Sequence, residues 1–110
     1  MLADFLSADG HLVEIVSDGS VALGRLREGT WDLVVSDLKM PVLDGPGLYR
    51  RLEALRDPLV SRFIFVTGDV LSPETRAFLD ETGALCLSKP FAFDEVRRVI
   101  AEAFRRPLGP

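Results

Sequence analysis

The chain has 110 residues with 47% hydrophobic and 27% charged side chains, which suits one globular domain and leaves no room for a second. No apolar run reaches the ~18 residues that cross a bilayer, and the start MLADFLSADG lacks the basic region of a signal peptide. A net charge of -4, one Cys and one His exclude a strongly positive nucleic-acid surface, an internal disulfide and a zinc site built within one chain.

Residues 2–8 read as the end of a helix with Leu2, Phe5 and Leu6 on its apolar side and Gly10 beyond it. Residues 12–16 (LVEIV) read as a strand, at or next to a sheet edge because Glu14 interrupts it. Ala22, Leu23 and Leu26 form a short helical stripe that Gly29 stops. Trp31 is expected to pack at the start of the next strand, and His11 to sit in a surface turn.

Residues 33–36 (LVVS) and 63–67 (FIFVT) are apolar almost throughout, as strands covered on both faces must be. Between them Leu48, Leu52 and Leu55 recur at helical spacing, with Asp44 placed to cap that helix near Pro46 and Gly45 as a turn position. Ser72 with Pro73 and Glu74 announces another helix, which runs through Phe78 and Leu79 to Gly83. Residues 84–88 (ALCLS) suit an edge strand. A final helix from Asp94 turns Val96, Val99, Ile100 and Ala103 inward, with acids at its start and Arg105-Arg106 at its end, as the helix dipole favours. The Arg97-Arg98 and Arg105-Arg106 pairs read as solvated helix faces.

Strands joined through helices imply an α/β fold with a doubly wound parallel sheet and right-handed crossovers. Ligands in such sheets bind beyond the C-terminal strand ends, which selects Asp37, Thr67 and Ser88-Lys89. A carboxylate, a hydroxyl and an ammonium gathered there suit phosphoryl transfer to the carboxylate, with the other two gripping the transferred oxygens. Pro90 fixes the loop that carries the ammonium. Cys86 reads as a small core residue and fits a reducing compartment.

Asp37-Leu38-Lys39-Met40-Pro41-Val42-Leu43-Asp44-Gly45 resembles the D-x-x-M-P-x-x-D-G segment of bacterial two-component receiver domains. Thr67-Gly68 resembles their hydroxyl residue followed by a small one, and Lys89-Pro90-Phe91 their K-P-F. The gaps of 30 residues from Asp37 to Thr67 and 22 from Thr67 to Lys89 are similar to the family's, and Asp18-Gly19 with Ala22-Leu23 matches a common turn into its second helix. The resemblance implies a flavodoxin-like sheet of order 2-1-3-4-5. It implies that Asp37 accepts a phosphoryl group from a histidine kinase or a histidine phosphotransfer protein, with Thr67 and Lys89 binding that group. The Lys39 carbonyl becomes a Mg2+ ligand beside Asp37, while the side chains of Lys39 and Asp69, with Gly68, flank the site. Pro41, Asp44, Gly45 and Pro90 shape the loops. The face from 72 to 106 becomes a surface for a homodimer or receiver-receiver contact, and the location cytoplasmic, with neither nucleic acid nor membrane as partner.

Two departures accompany the resemblance. Receivers open with a strand ending in paired acids that hold magnesium. Mapped back from Asp37, this strand and pair fall before Met1, so residues 1–110 read as an N-terminally truncated receiver, with Met1 an internal start and magnesium weakly held. The switch position three before the lysine, often Tyr or Phe, is Cys86. A small thiol cannot act as that aromatic lever, and the missing acids favour the competing reading of a degenerate receiver that docks without phosphorylation. An aspartyl-phosphate phosphatase is disfavoured because Lys39 stands where its second Asp is needed, and no P-loop glycine pattern is present.

Overall fold

A computed structural model describes residues 2–39, 41–68 and 72–107. The elements run α1 (Leu2–Ala8), α2 (Gly19–Glu28), β1 (Val34–Asp37), α3 (Gly45–Ala54), a 3-10 turn (Pro58–Arg62), β2 (Phe63–Thr67), α4 (Pro73–Thr82), β3 (Leu85–Ser88) and α5 (Phe93–Arg105). The three strands form one parallel sheet in the order β1-β2-β3, with Val34 opposite Phe63 and Thr67 opposite Ser88.

The central strand dictates the layering. All five residues of β2 are buried, and successive side chains of a strand point to opposite faces. Phe63 and Phe65 pack with Leu48, Tyr49 and Leu52 of α3, Ala22 of α2 and Phe78 of α4. Ile64 and Val66 pack on the other face with Leu6 of α1 and Val96, Val99, Ile100 and Ala103 of α5. Tyr49 meets Phe63 and Phe78 edge-on at ring separations of 5.3 and 5.4 Å, a favoured aromatic geometry. Helices on both faces of a parallel sheet make this the expected flavodoxin-like α/β architecture.

Side-chain caps fix where three helices begin. Asp18 accepts from the Ser20 and Val21 amides, Asp44 from the Gly47 amide, and Ser72 from the Thr75 amide. Gly83 closes α4 at φ 68, a conformation that favours glycine. Helix α5 starts without a side-chain cap and carries Asp94 and Glu95 in its first turn and Arg105 in its last.

The structure departs from the sequence reading at several places. Residues 12–16 form no strand and join no ladder among the described residues. Leu12 is 101% and Ile15 68% exposed; only Val16 reaches the core. A strand-like pattern becomes a strand only beside a neighbour, and Glu14 is instead held by the Arg25 guanidinium of α2 at 2.6 and 2.7 Å. The arrangement leaves β1 at an edge of the described sheet. Leu55 ends α3 half-exposed rather than joining Leu48 and Leu52 in the core. Arg97 is not merely solvated: it pairs with Asp9 at 3.1 Å and lies over the Phe5 ring, so it ties α5 to the end of α1. Arg106 donates to the Gly83 carbonyl at 2.8 Å. Trp31 donates its indole N–H to the Arg25 carbonyl at 2.9 Å, which places the ring against the end of α2. His11 stacks on Phe104 of α5.

Candidate phosphoryl-transfer site

The C-terminal ends of the three strands meet at one side of the sheet. Asp37 is the exposed last residue of β1 and Thr67 the buried last residue of β2. Two backbone bonds stitch the strand ends together. The Leu38 amide donates to the Val66 carbonyl at 3.2 Å, and the Lys89 amide donates to the Thr67 carbonyl at 2.8 Å. The Lys89–Pro90 peptide bond is cis.

These ends border a cavity of about 490 Å³ whose polar lining includes Asp37, Lys39, Asp44, Thr67 and Lys89. Leu38 and Gly68 also line it, as do Ser72 and Thr75 from the start of α4. The structure thus brings Asp37, Thr67 and Lys89 to one cavity with Lys39, Gly68 and Asp44. Asp69 and Met40 lie outside the described residues. Neither the Asp37 carboxylate nor the Lys89 ammonium makes an ion pair with a described residue. Opposite charges therefore face a shared space without closing on each other.

The loop after Asp37 is held by steric fit. The Gly45 amide donates to the Leu38 carbonyl at 3.2 Å, and a Cβ at Gly45 would lie 2.4 Å from the Asp37 carbonyl oxygen and 3.0 Å from the Phe65 ring. Glycine stands there because the backbones touch, which refines the expectation of a simple turn position. The Pro41 carbonyl accepts from the Leu43 amide at 2.7 Å around Val42, which sits at φ 69. That is a tight turn in a region a β-branched residue seldom occupies. The same carbonyl accepts from the Gly19 amide at 3.3 Å, so the loop also leans on the start of α2. Asp44 caps α3 through Gly47 at 2.7 Å, the role expected of it.

Cys86 occupies the middle of β3, half-buried against the cluster that contains Phe65 and Phe78. Burial pushes its thiol pKa up, which disfavours the reactive thiolate. Sequence reasoning missed Ser72 and Thr75 as lining residues: the cap motif was readable, but its position over the cavity depends on how α4 folds back. Nor did it foresee the contact between Gly19 and Pro41.

Magnesium takes near-octahedral oxygen coordination and usually one or two carboxylates. Asp37 and Asp44 are the carboxylates among the described lining residues, and Asp44 is occupied as a helix cap. Asp18 is absent from that lining and caps α2, and Asp9 pairs with Arg97. No group of three or more His, Cys, Asp or Glu among the described residues is arranged to hold a metal. The described residues alone do not fit a magnesium centre.

Residues 1–101 match the family model of the response regulator receiver domain. The chain belongs to the response regulator receiver family. Receiver domains are signalling domains of two-component systems. The sensor histidine kinase RcsC of Salmonella typhi is 34% identical over 101 residues, covering 92% of this chain and 10% of the kinase. The chain thus spans about a tenth of the length of that relative. The receiver domain of a signal transduction histidine kinase from Syntrophus aciditrophicus superposes with a TM-score of 0.80 at 26% identity, covering 94% of this chain and 79% of that one. A sensor histidine kinase receiver domain from Pseudomonas aeruginosa, determined with a magnesium ion coordinated in its active site cleft, superposes with a TM-score of 0.78 at 26% identity, covering 94% and 85%. Among the described residues, no helix is long and apolar enough to cross a membrane.

Proposed function

We propose that this receiver accepts a phosphoryl group on Asp37 from a histidine kinase or a histidine phosphotransfer protein, in the cytoplasm. The observation that carries the reading is that Asp37, which makes no ion pair with a described residue, lines one cavity together with Lys89 and Thr67. A carboxylate oxygen of Asp37 attacks the phosphorus of a phosphohistidine. A P–O bond forms as the P–N bond breaks, and the bonding pair returns to the imidazole nitrogen. The Lys89 ammonium and the Thr67 hydroxyl take up the charge on the transferred oxygens. Lys39 and Gly68 line the cavity beside the acceptor, and by the family pattern Asp69 would flank it. Magnesium, if bound, would be held weakly, by Asp37 and the Lys39 carbonyl. Pro41, Asp44, Gly45 and Pro90 hold the loops in place. Residues 1–110 form one receiver unit, and the outer edge of β1 is where the family's first strand would lie. The face of α4, β3 and α5 (72–106) serves as the contact for a second receiver.

A specific observation favours a second reading, a receiver that docks on its kinase without being phosphorylated: the described donor set is thin for magnesium, and a half-buried cysteine occupies the switch position. Incubation with a phosphorylated histidine kinase separates the two. Incorporation of base-labile, hydroxylamine-sensitive phosphate into the chain that Asp37→Asn abolishes establishes the acceptor. Kinase binding with no incorporation establishes the docking module.

A further inference from the structure

Building on the assignment of Asp37 as acceptor, we infer that Gly19 is a positioning residue for phosphoryl transfer: its bare backbone clamps the tip of the loop that follows Asp37 and so fixes where the acceptor stands. The contact joins two elements far apart in sequence. Gly19 opens α2, is buried, and donates its amide to the Pro41 carbonyl at 3.3 Å. A methyl group on Gly19 would overlap the Leu43 carbonyl oxygen and lie 2.7 Å from the carbonyl carbon and 2.8 Å from the Leu43 Cβ. Its φ is not positive, so space and not conformation selects glycine. The atoms in the way are mostly backbone, which cannot swing aside as the end of a long side chain can.

The tip needs such a hold. The Pro41 carbonyl also accepts from the Leu43 amide at 2.7 Å, closing a tight turn around Val42 at φ 69. That turn is strained for a β-branched residue, and strain of this kind persists only where the surrounding structure enforces it. Val42 is 82% exposed, so its own burial does little to enforce the turn. Gly19 reaches the turn from outside the loop, and the start of α2 is itself anchored by Asp18, which accepts from the Ser20 amide at 2.7 Å. At the base of the same loop the Gly45 amide donates to the Leu38 carbonyl at 3.2 Å, with its backbone against the Asp37 carbonyl. The loop is thus gripped at tip and base. Its two ends, Asp37 to Lys39 and Asp44, line the cavity, whereas Gly19 does not, so Gly19 acts through the loop. Misplacing a reacting atom by about 1 Å can slow a reaction by roughly 100-fold.

Gly24 supplies the control for a test. It lies in the same helix, and a methyl group there would meet nothing within 4 Å. The unmodified chain, Gly19→Ala and Gly24→Ala are each mixed with increasing amounts of a phosphorylated histidine kinase in magnesium buffer, and transfer is followed by rapid quenching. Gly19→Ala should lower the saturating transfer rate roughly tenfold or more, with the half-saturating kinase concentration unchanged within about twofold. Gly24→Ala should match the unmodified chain. A saturating rate preserved in Gly19→Ala, or an equal loss in Gly24→Ala, overturns the inference. In amide NMR spectra, Gly19→Ala should displace the Leu38, Leu43 and Gly45 resonances, and changes confined to α2 overturn the clamp. Should Gly19→Ala not fold, relaxation of the unmodified chain decides: order parameters of about 0.6 or more at Val42 and Leu43 support a held tip, and lower values overturn it. Absence of transfer to the unmodified chain removes the acceptor assignment instead, while the NMR measurements still decide whether Gly19 holds the loop.

Discussion

Gly45 shows how narrowly Asp37 is positioned. Its absent side chain lets the start of α3 rest on the Asp37 carbonyl, where a methyl group would lie 2.4 Å from the oxygen. Gly45→Ala should cost about 1–3 kcal/mol in urea unfolding and displace the Asp37 and Leu38 amide resonances. Cys86 allows a prediction with a definite sign. Burial raises its thiol pKa in the folded chain, so the thiol contributes stability that is fully present below the unfolded pKa and is lost as pH rises through the folded value. Alkylation by iodoacetamide should therefore reach half its limiting rate at a higher pH in the folded chain than in urea. Equal midpoints would show that the environment of Cys86 does not penalise the thiolate. At this scale the sequence was informative about Asp37, Thr67 and Lys89, because each stands at or just after a strand end. It was silent on why position 45 must be glycine, since that reason lies in contacts with Asp37 and Phe65.

Among the elements, helix starts were the easiest to read. Asp44 with Pro46 and Ser72 with Pro73 combine a side-chain acceptor with a residue shaped for the first turn, and both cap as expected. Ser72→Ala should destabilise the fold by ~1 kcal/mol in urea titration, with faster amide exchange confined to the first turn of α4. A uniform rise in exchange would instead mean that α4 starts by other means. Strand β2 was legible because a run with no polar residue before Thr67 fits a strand enclosed on both faces. The segment 12–16 was misread for the complementary reason. Its alternation records what its side chains tolerate, whereas a ladder also requires backbone partners, and none among the described residues adjoins it.

At the level of the whole molecule, two apolar clusters share one narrow sheet. The layer of α1 and α5 is reinforced by a 4.4 Å stack of Phe5 on Phe93 and by the Arg97–Asp9 pair. The other side of the balance is the outer edge of β1 in the described sheet, together with the exposed Leu12 and Ile15 of the segment before α2. Open strand edges and exposed apolar side chains each promote association. The chain should sediment as a concentration-dependent mixture, and the double substitution Leu12→Lys, Ile15→Lys should shift it towards monomer. A monomer at every concentration would show that this edge is covered. The sheet's overall architecture was foreseeable from alternating apolar runs. The condition of its margin was not, because composition and periodicity describe segments and an edge is a relation between them.

The paired stitches on β2 have a mechanical consequence. Consecutive carbonyls at its tip, Val66 and Thr67, hold the amides that follow β1 and β3 on either side. Carboxylate and ammonium are thus mounted like the jaws of a calliper on a common beam. Because both mounts hang from that beam, the spacing of their backbones is set at the centre of the sheet rather than by the loops that decorate it.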